Sequence, residues 1–445
     1  MASQRTVSNG FHPEDRPSGD TLKLARDEKK EVSVSVEETG ADTPSFPEGG
    51  TQAWLTLFGA FLFQYVTFGY INAFGVYQDF YIRSFLTDYT PSAIGWIGGT
   101  QIFLNFSSGV FVGRAFDRGY FYYLMAAGAF VHGLSLFMLS LSHQNSFYQV
   151  FLTNGVLLGL SGGLCYIPAL GITSHYFHKK RPLAMGIASA GSALGSVLHP
   201  IMLNKLINGH IGFHNGVRIS AALNVALLLI GLSVMRTRLP PKPVQTFPVL
   251  KWFKDPAFCA SVASAWFIFL GLFYPVFYIQ LLAVMRGVDR KFAFYALPIL
   301  NAASFFGRII PPMFAPKLGV FNVWVFCAIS SGIVVLFMVL VRDVTGTVLV
   351  AIFYGFTSGG GIALVPSTVA VIANDVSELG TRIGILFVFA GLLGLFATPI
   401  SGALLTKDYH WLNAGLFSGI SLIIAGLCNV VARHYVAQRK GSHRV

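Results

Sequence analysis

The chain is 445 residues long, 54% hydrophobic and only 11% charged, with a formal net charge of +12. That balance excludes a soluble globular domain. The basic residues punctuate apolar stretches and form no polar domain of their own, which excludes a nucleic-acid-binding protein as well.

Residues 1–50 are of a different material. They hold ten acidic residues against six basic ones and few aromatics, a composition that stays disordered. No secretory-signal core precedes residue 51, so the first apolar helix is expected to act as its own targeting element. From there on, apolar runs of roughly 20 residues, the length that crosses a bilayer, recur twelve times. They lie at about 53–77, 94–116, 121–141, 147–173, 183–207, 217–236, 257–284, 292–314, 321–341, 345–372, 383–405 and 412–434. Between the sixth and seventh runs Arg236-Thr-Arg-Leu-Pro-Pro-Lys-Pro243 is basic and proline-rich and cannot continue a helix in the bilayer. The expected organisation is a disordered tail (1–50), a six-helix bundle (51–236), a linker (237–256), a second six-helix bundle (257–436) and a short tail (437–445).

The two bundles repeat one another. Gly162-Gly163 and Pro168 recur as Gly360-Gly361 and Pro366 at an offset of 198 residues, as do Gly186 and Gly384; Gly113-Arg114 and Gly307-Arg308 pair at 194. Like-oriented repeats of membrane helices imply a carrier with its cavity between the halves. The expected class is therefore an all-α membrane protein of twelve transmembrane helices in two bundles. Loop charges set its orientation. With the N-terminus inside, cytoplasmic connections hold thirteen Lys and Arg against eight opposite, so both termini are expected in the cytoplasm, most simply at the plasma membrane.

Two connections carry motifs. Gly113-Arg-Ala-Phe-Asp117-Arg118-Gly119 joins the second and third spans. The glycine admits a close helix, and the acid suits the positive N-terminal end of a neighbour. The stretch resembles the loop motif of the major facilitator superfamily. That resemblance implies a latch of Gly113, Asp117 and Arg118 holding the second span against the eleventh, which begins near Thr381-Arg382. The alternative is an ordinary charged turn. The second connection, His175-Tyr-Phe-His-Lys-Lys-Arg181-Pro-Leu-Ala-Met-Gly186-Ile-Ala-Ser-Ala-Gly191-Ser-Ala-Leu-Gly195, runs from a basic turn into a helix striped with small residues. It resembles the corresponding stretch of the monocarboxylate porter family, as do Glu48-Gly49-Gly50 and Trp54, while Gly59-Ala-Phe, Asn72-Ala-Phe-Gly-Val-Tyr-Gln78 and Arg238-Leu-Pro-Pro-Lys242 look most like its fungal members.

Arg308 is the cation that the span assignment brings into the membrane. An ionisable group there is costly and usually faces a cavity, and a guanidinium binds carboxylates bidentately. The family resemblance likewise implies a substrate-anchoring arginine in the eighth span. The repeat offers a second account, a structural charge equivalent to Arg114. Where proton-coupled lactate carriers of the family have an aspartate and a lysine, this chain has Ser304 and Asn72, so that coupling pair is missing. Asp79, His132 and His199 are the remaining coupling candidates. Polar residues expected around the cavity are Asn72, Asn105, Tyr166, Tyr274, Tyr278 and Tyr354, and with 41 phenylalanines in the chain they favour a solute larger and more aromatic than lactate.

The four cysteines lie apart and suggest packing, not a metal site or disulfide. No nucleotide-cradling loop or nucleophile elbow is present, so neither an ATP-driven pump nor an enzyme is expected, and no cofactor. The expected partners are the lipid bilayer, a small organic acid or fungal secondary metabolite, and protons if coupling persists. Import and export both stay open, and a sensor on the same fold is the alternative of a different class.

Overall fold

A computed structural model describes residues 47–239, 249–373, 378–405, 411–442 and 444. The acidic tail and the middle of the linker lie outside them. The described chain is helical, without a strand. Eleven helices are long and apolar enough to cross a membrane. In the numbering used below these are the first span (Thr51–Phe85), the third (Phe121–Leu139), fourth (Phe147–His175), fifth (Arg181–Ile207), sixth (Gly212–Val234), seventh (Pro256–Met285), eighth (Phe292–Leu318), ninth (Val320–Met338), tenth (Val344–Ile372), eleventh (Leu379–Ala397, within the helix Leu379–Leu405) and twelfth (Trp411–Lys440).

The second span is divided. Pro91–Ser107 passes directly into Gly109–Asp117 at Ser108, whose hydroxyl bonds back to the Leu104 carbonyl at 2.9 Å, a competition that bends helices. The eighth span also breaks, between Arg290–Gly307 and Ile310–Leu318. Pro311 and Pro312 open its second piece, where missing N–H groups cost least. Several starts are sealed by side chains. Thr90, Asp255 and Asp343 cap the second, seventh and tenth spans by accepting from the amides of Ala93, Ala257 and Gly346. One expected boundary moves: the last helix runs through 436 to Lys440, its end tied by Arg439 pairing with the capping carboxylate of Asp255.

Packing repeats as the sequence does. The first span packs on the fifth and sixth, as the seventh does on the eleventh and twelfth. The third packs on the fourth and sixth, and the ninth on the tenth and twelfth; the second meets the fourth as the eighth meets the tenth. Glycines make these approaches possible. A β-carbon on Gly195 would stand 2.9 Å from the Cα of Gly69, and one on Gly159 2.9 Å from the Gln101 backbone. Among the described residues two main crossings join the halves: the second span lies against the eleventh, and the fifth against the eighth and tenth. Large apolar side chains such as Phe111, Phe130 and Phe326 point outward, at 77%, 70% and 65% exposure, as suits a surface solvated by lipid.

A candidate solute site between the halves

The face carrying Thr51 and Lys440, the terminal face, is closed by both crossings. At the first, Gly113 lies so near the Gly380 carbonyl that no side chain would fit between them, and a β-carbon on Gly109 would stand 3.2 Å from Gly384 Cα. Asp117, at the end of the second span, accepts from the amide and hydroxyl of Thr381 at 3.0 and 2.9 Å. It thereby satisfies donors at the start of the eleventh helix. At the second crossing Gly186, the repeat counterpart of Gly384, lies against the Arg308 carbonyl, and Pro312 stands behind it. The latch expected at Gly113 and Asp117 is thus a contact across the halves. Its other two residues are not part of it. Arg118 is exposed, and Arg382 turns away to pair with Glu378 at 2.8 Å and to lie 4.5 Å over the Trp252 ring.

Arg308 sits where the eighth span breaks, and it is 4% exposed. Its Nη1 donates to the carbonyl oxygen of Ser189 at 2.8 Å and to the Ser192 hydroxyl, both on the fifth span in the other half. Its Nε reaches the Ser304 hydroxyl at 3.4 Å. Among the described residues Nη2 has no hydrogen-bond partner and no carboxylate pairs with the guanidinium. A buried cation held only by neutral oxygens is costly until an anion joins it. The repeat account of Arg308 meets a difference here, since its counterpart Arg114 is exposed.

Beside it lies a cluster of aromatic rings drawn from both halves. Phe106 on the second span stacks on Phe387 of the eleventh, with centroids 5.3 Å apart at 27°, and meets Phe269 of the seventh edge-on at 4.9 Å. Tyr166 on the fourth span is edge-on to both Phe106 and Phe387, at 5.5 and 5.4 Å, and lies within electrostatic reach of Arg308. Phe68 closes the first-half side against Phe106 and Tyr166.

Of the residues expected around the cavity, the structure brings Arg308 and Tyr166 to this boundary. The others turn into their own half. Asn72, where the first helix Thr51–Ile71 ends, donates to Ser196 at 2.9 Å; Asn105 points at Gly162. Tyr354 donates to the Leu272 carbonyl at 2.6 Å. Tyr274 lies beside Tyr278 at a tilt, with centroids 5.6 Å apart, and its hydroxyl lies against Gly415 on the twelfth span. The coupling candidates are likewise away from the boundary. Asp79 is 59% exposed and pairs with Arg83 one helical turn on. His132 bonds Ser161 at 3.1 Å inside the first half. His199, fully buried, makes no hydrogen bond of normal geometry from either ring nitrogen among the described residues and packs between Tyr65 and Tyr70 at 4.6 and 5.0 Å. Sequence reasoning missed Phe106, Phe269, Phe387, Ser189 and Ser192. A small-residue face at Gly391 and Gly394, in helical step with Phe387, is the signal that could have found the aromatic wall.

The family profile described as Major Facilitator Superfamily matches residues 53–381. Among curated proteins, an aspyridones efflux protein of Emericella nidulans is 37% identical over 91% of this chain and 82% of its own. A transporter of the same superfamily type from an Ophiocordyceps species is 36% identical over 91% of each, and an agnestins efflux protein of Paecilomyces divaricatus 36% over 90% and 92%. Among solved structures the E. coli fucose:proton symporter superposes with a TM-score of 0.67 at 14% identity, covering 86% of this chain and 98% of that one.

Proposed function

The chain belongs to the major facilitator superfamily and is a membrane transporter, not an enzyme, and on that premise we propose that it exports an acidic secondary metabolite through Arg308. Carriers of this kind work by alternating access, and the two crossings at the terminal face are the contacts that must open in each cycle. One observation supports the acidic solute above the rest. Arg308 is a buried cation at the boundary between the halves with no carboxylate to balance it. An anion entering there supplies the missing charge, and Nη2 offers it a hydrogen bond. The expectation of a monocarboxylate porter of fungal type is kept as the finer family placement, carried by Glu48 and the stretch 175–195.

The direction rests on the relatives, two of which are named as efflux proteins. We read the terminal face as cytoplasmic; its exposed Arg118, Lys179, Lys180, Lys251, Lys254 and Lys440 support that reading, because inner loops carry an excess of positive charge. The plasma membrane is the compartment export requires. We take the expected bundles 51–236 and 257–436 as the two moving bodies, the second carrying the last helical turn that continues to Lys440.

The test uses purified full-length protein in liposomes, oriented by protease access to the C-terminus. Labelled 2-naphthoate, a simple carboxylic acid probe, is expected to move faster than in protein-free vesicles and to compete with acidic metabolites, not with the neutral 2-naphthamide. Binding of the acid without its movement would mean a sensor; movement of acid and amide alike would overturn the acidic substrate.

A further inference from the structure

We infer that the solute carries a planar aromatic or conjugated ring, received between Phe106 and Phe387 while its acidic group rests on Arg308. This rests on the acidic reading above and names the body of the molecule that reading leaves open.

The rings at the boundary are arranged as a slot. Phe387, Gly391 and Gly394 lie at helical spacing on one face of the eleventh span. Opposite that face stand Phe106, whose Cβ is 3.0 Å from a β-carbon placed on Gly391, and Phe269, 3.3 Å from one placed on Gly394. Two glycines next to a phenylalanine leave a flat strip of helix, facing a ring already nearly parallel to Phe387. Tyr166 borders the slot edge-on and interacts electrostatically with Arg308. One side of the site is therefore cationic and the adjoining side aromatic.

Alternating access gives the slot its use. Phe106 and Phe387 belong to different halves, so rocking separates a contact that buries both rings. A planar ring entering as they part restores an offset stack on Phe106, another on Phe387 and an edge contact with Tyr166. An aliphatic body of equal size restores only buried area. The site thus favours the aromatic solute in the step that opens the boundary.

The experiment compares 2-naphthoate with its saturated analogue decahydro-2-naphthoate, which has the same carboxylate and nearly the same size, by equilibrium binding to the purified full-length protein. Wild type is expected to bind the aromatic acid about tenfold more tightly. Phe387→Leu and Phe106→Leu are expected to abolish that ratio, and Phe387→Trp to keep it; the thermal midpoint of each unliganded variant confirms that it is folded. Equal affinity for the two acids in wild type, including no detectable binding of either, overturns the inference. So does a ratio that survives in both folded leucine variants. Arg308→Gln separates the two claims. If it removes all acid binding while the leucine variants leave the ratio intact, the acidic reading stands and the aromatic one falls; if the aromatic preference persists without Arg308, the reverse holds.

Discussion

Asp117 and Thr381 stand 264 positions apart in the chain, yet the carboxylate of one accepts the hydroxyl proton of the other at 2.9 Å and its amide at 3.0 Å. The bond spans the two halves at the terminal face, beside the glycine contact of Gly113 with Gly380. On the alternating-access reading proposed above, it must break when that face opens.

Asp117→Ala, which removes the acceptor of both bonds, is therefore expected to favour the state open at the terminal face. A hydrogen bond to a charged group contributes about 1.5–3 kcal/mol, which is roughly a tenfold or larger shift. The check is the rate at which a cysteine introduced at Ser192 reacts with a membrane-impermeant reagent from the terminal side. Asp117→Ala raises it, and Thr381→Ala raises it less, because the amide bond survives. No change in either variant would remove the pair from the gate.

Glu48 makes the second side-chain clamp at this face. Its carboxylate accepts from the amides of His178, Lys179 and Lys180. Burial pushes the carboxyl up, but the three amides outweigh it, so the group sits below its ordinary 4.5. A carboxyl depressed on folding stabilises the fold above its unfolded value and ceases to as pH falls through the folded one. Wild type is expected to lose thermal stability in detergent as pH drops below about 4.5. Glu48→Gln, lower in midpoint at pH 7, is expected to lose less over the same interval. Parallel curves would show that the clamp makes no contribution.

His199→Phe is expected to leave flux within about twofold of wild type and the midpoint unchanged or raised. The ring contacts with Tyr65 and Tyr70 persist, and two buried nitrogens that make no hydrogen bond of normal geometry disappear. Flux measured across pH 5.5–7.5 settles it: loss of the pH response in this variant would make His199 the proton carrier.

Much of the fold was legible in the sequence. The tenth span, expected at 345–372, is Val344–Ile372, because Asp343 caps one end and an unbroken apolar run fixes the rest. Glycines that recur at 198 residues play equivalent parts: Gly162 packs on the second span at Asn105 and Gly360 on the eighth at Gly307. The breaks at Ser108 and after Gly307 were not legible, since both lie within stretches apolar enough overall to read as single spans. In the site, Arg308 stood out because a charge in an apolar run is rare, and Asp117 because its motif has fixed spacing. The aromatic wall did not. A phenylalanine in a membrane helix looks alike whether it faces lipid, as Phe130 does, or the other half, as Phe387 does; only the rotation of the packed helix tells them apart. Tyrosines misled for a related reason. Tyr354 spends its hydroxyl on the Leu272 carbonyl within its own half, which a buried phenol does wherever an acceptor is in reach.

The most direct measurement is the initial rate of 2-naphthoate movement through Arg308→Gln in liposomes, at matched protein density and with the unliganded thermal midpoint recorded. A solute that completes the charge of a buried guanidinium has no such partner in glutamine, so the rate is expected to fall to that of protein-free vesicles while the variant stays folded. A folded variant that carries the acid as fast as wild type would contradict the account.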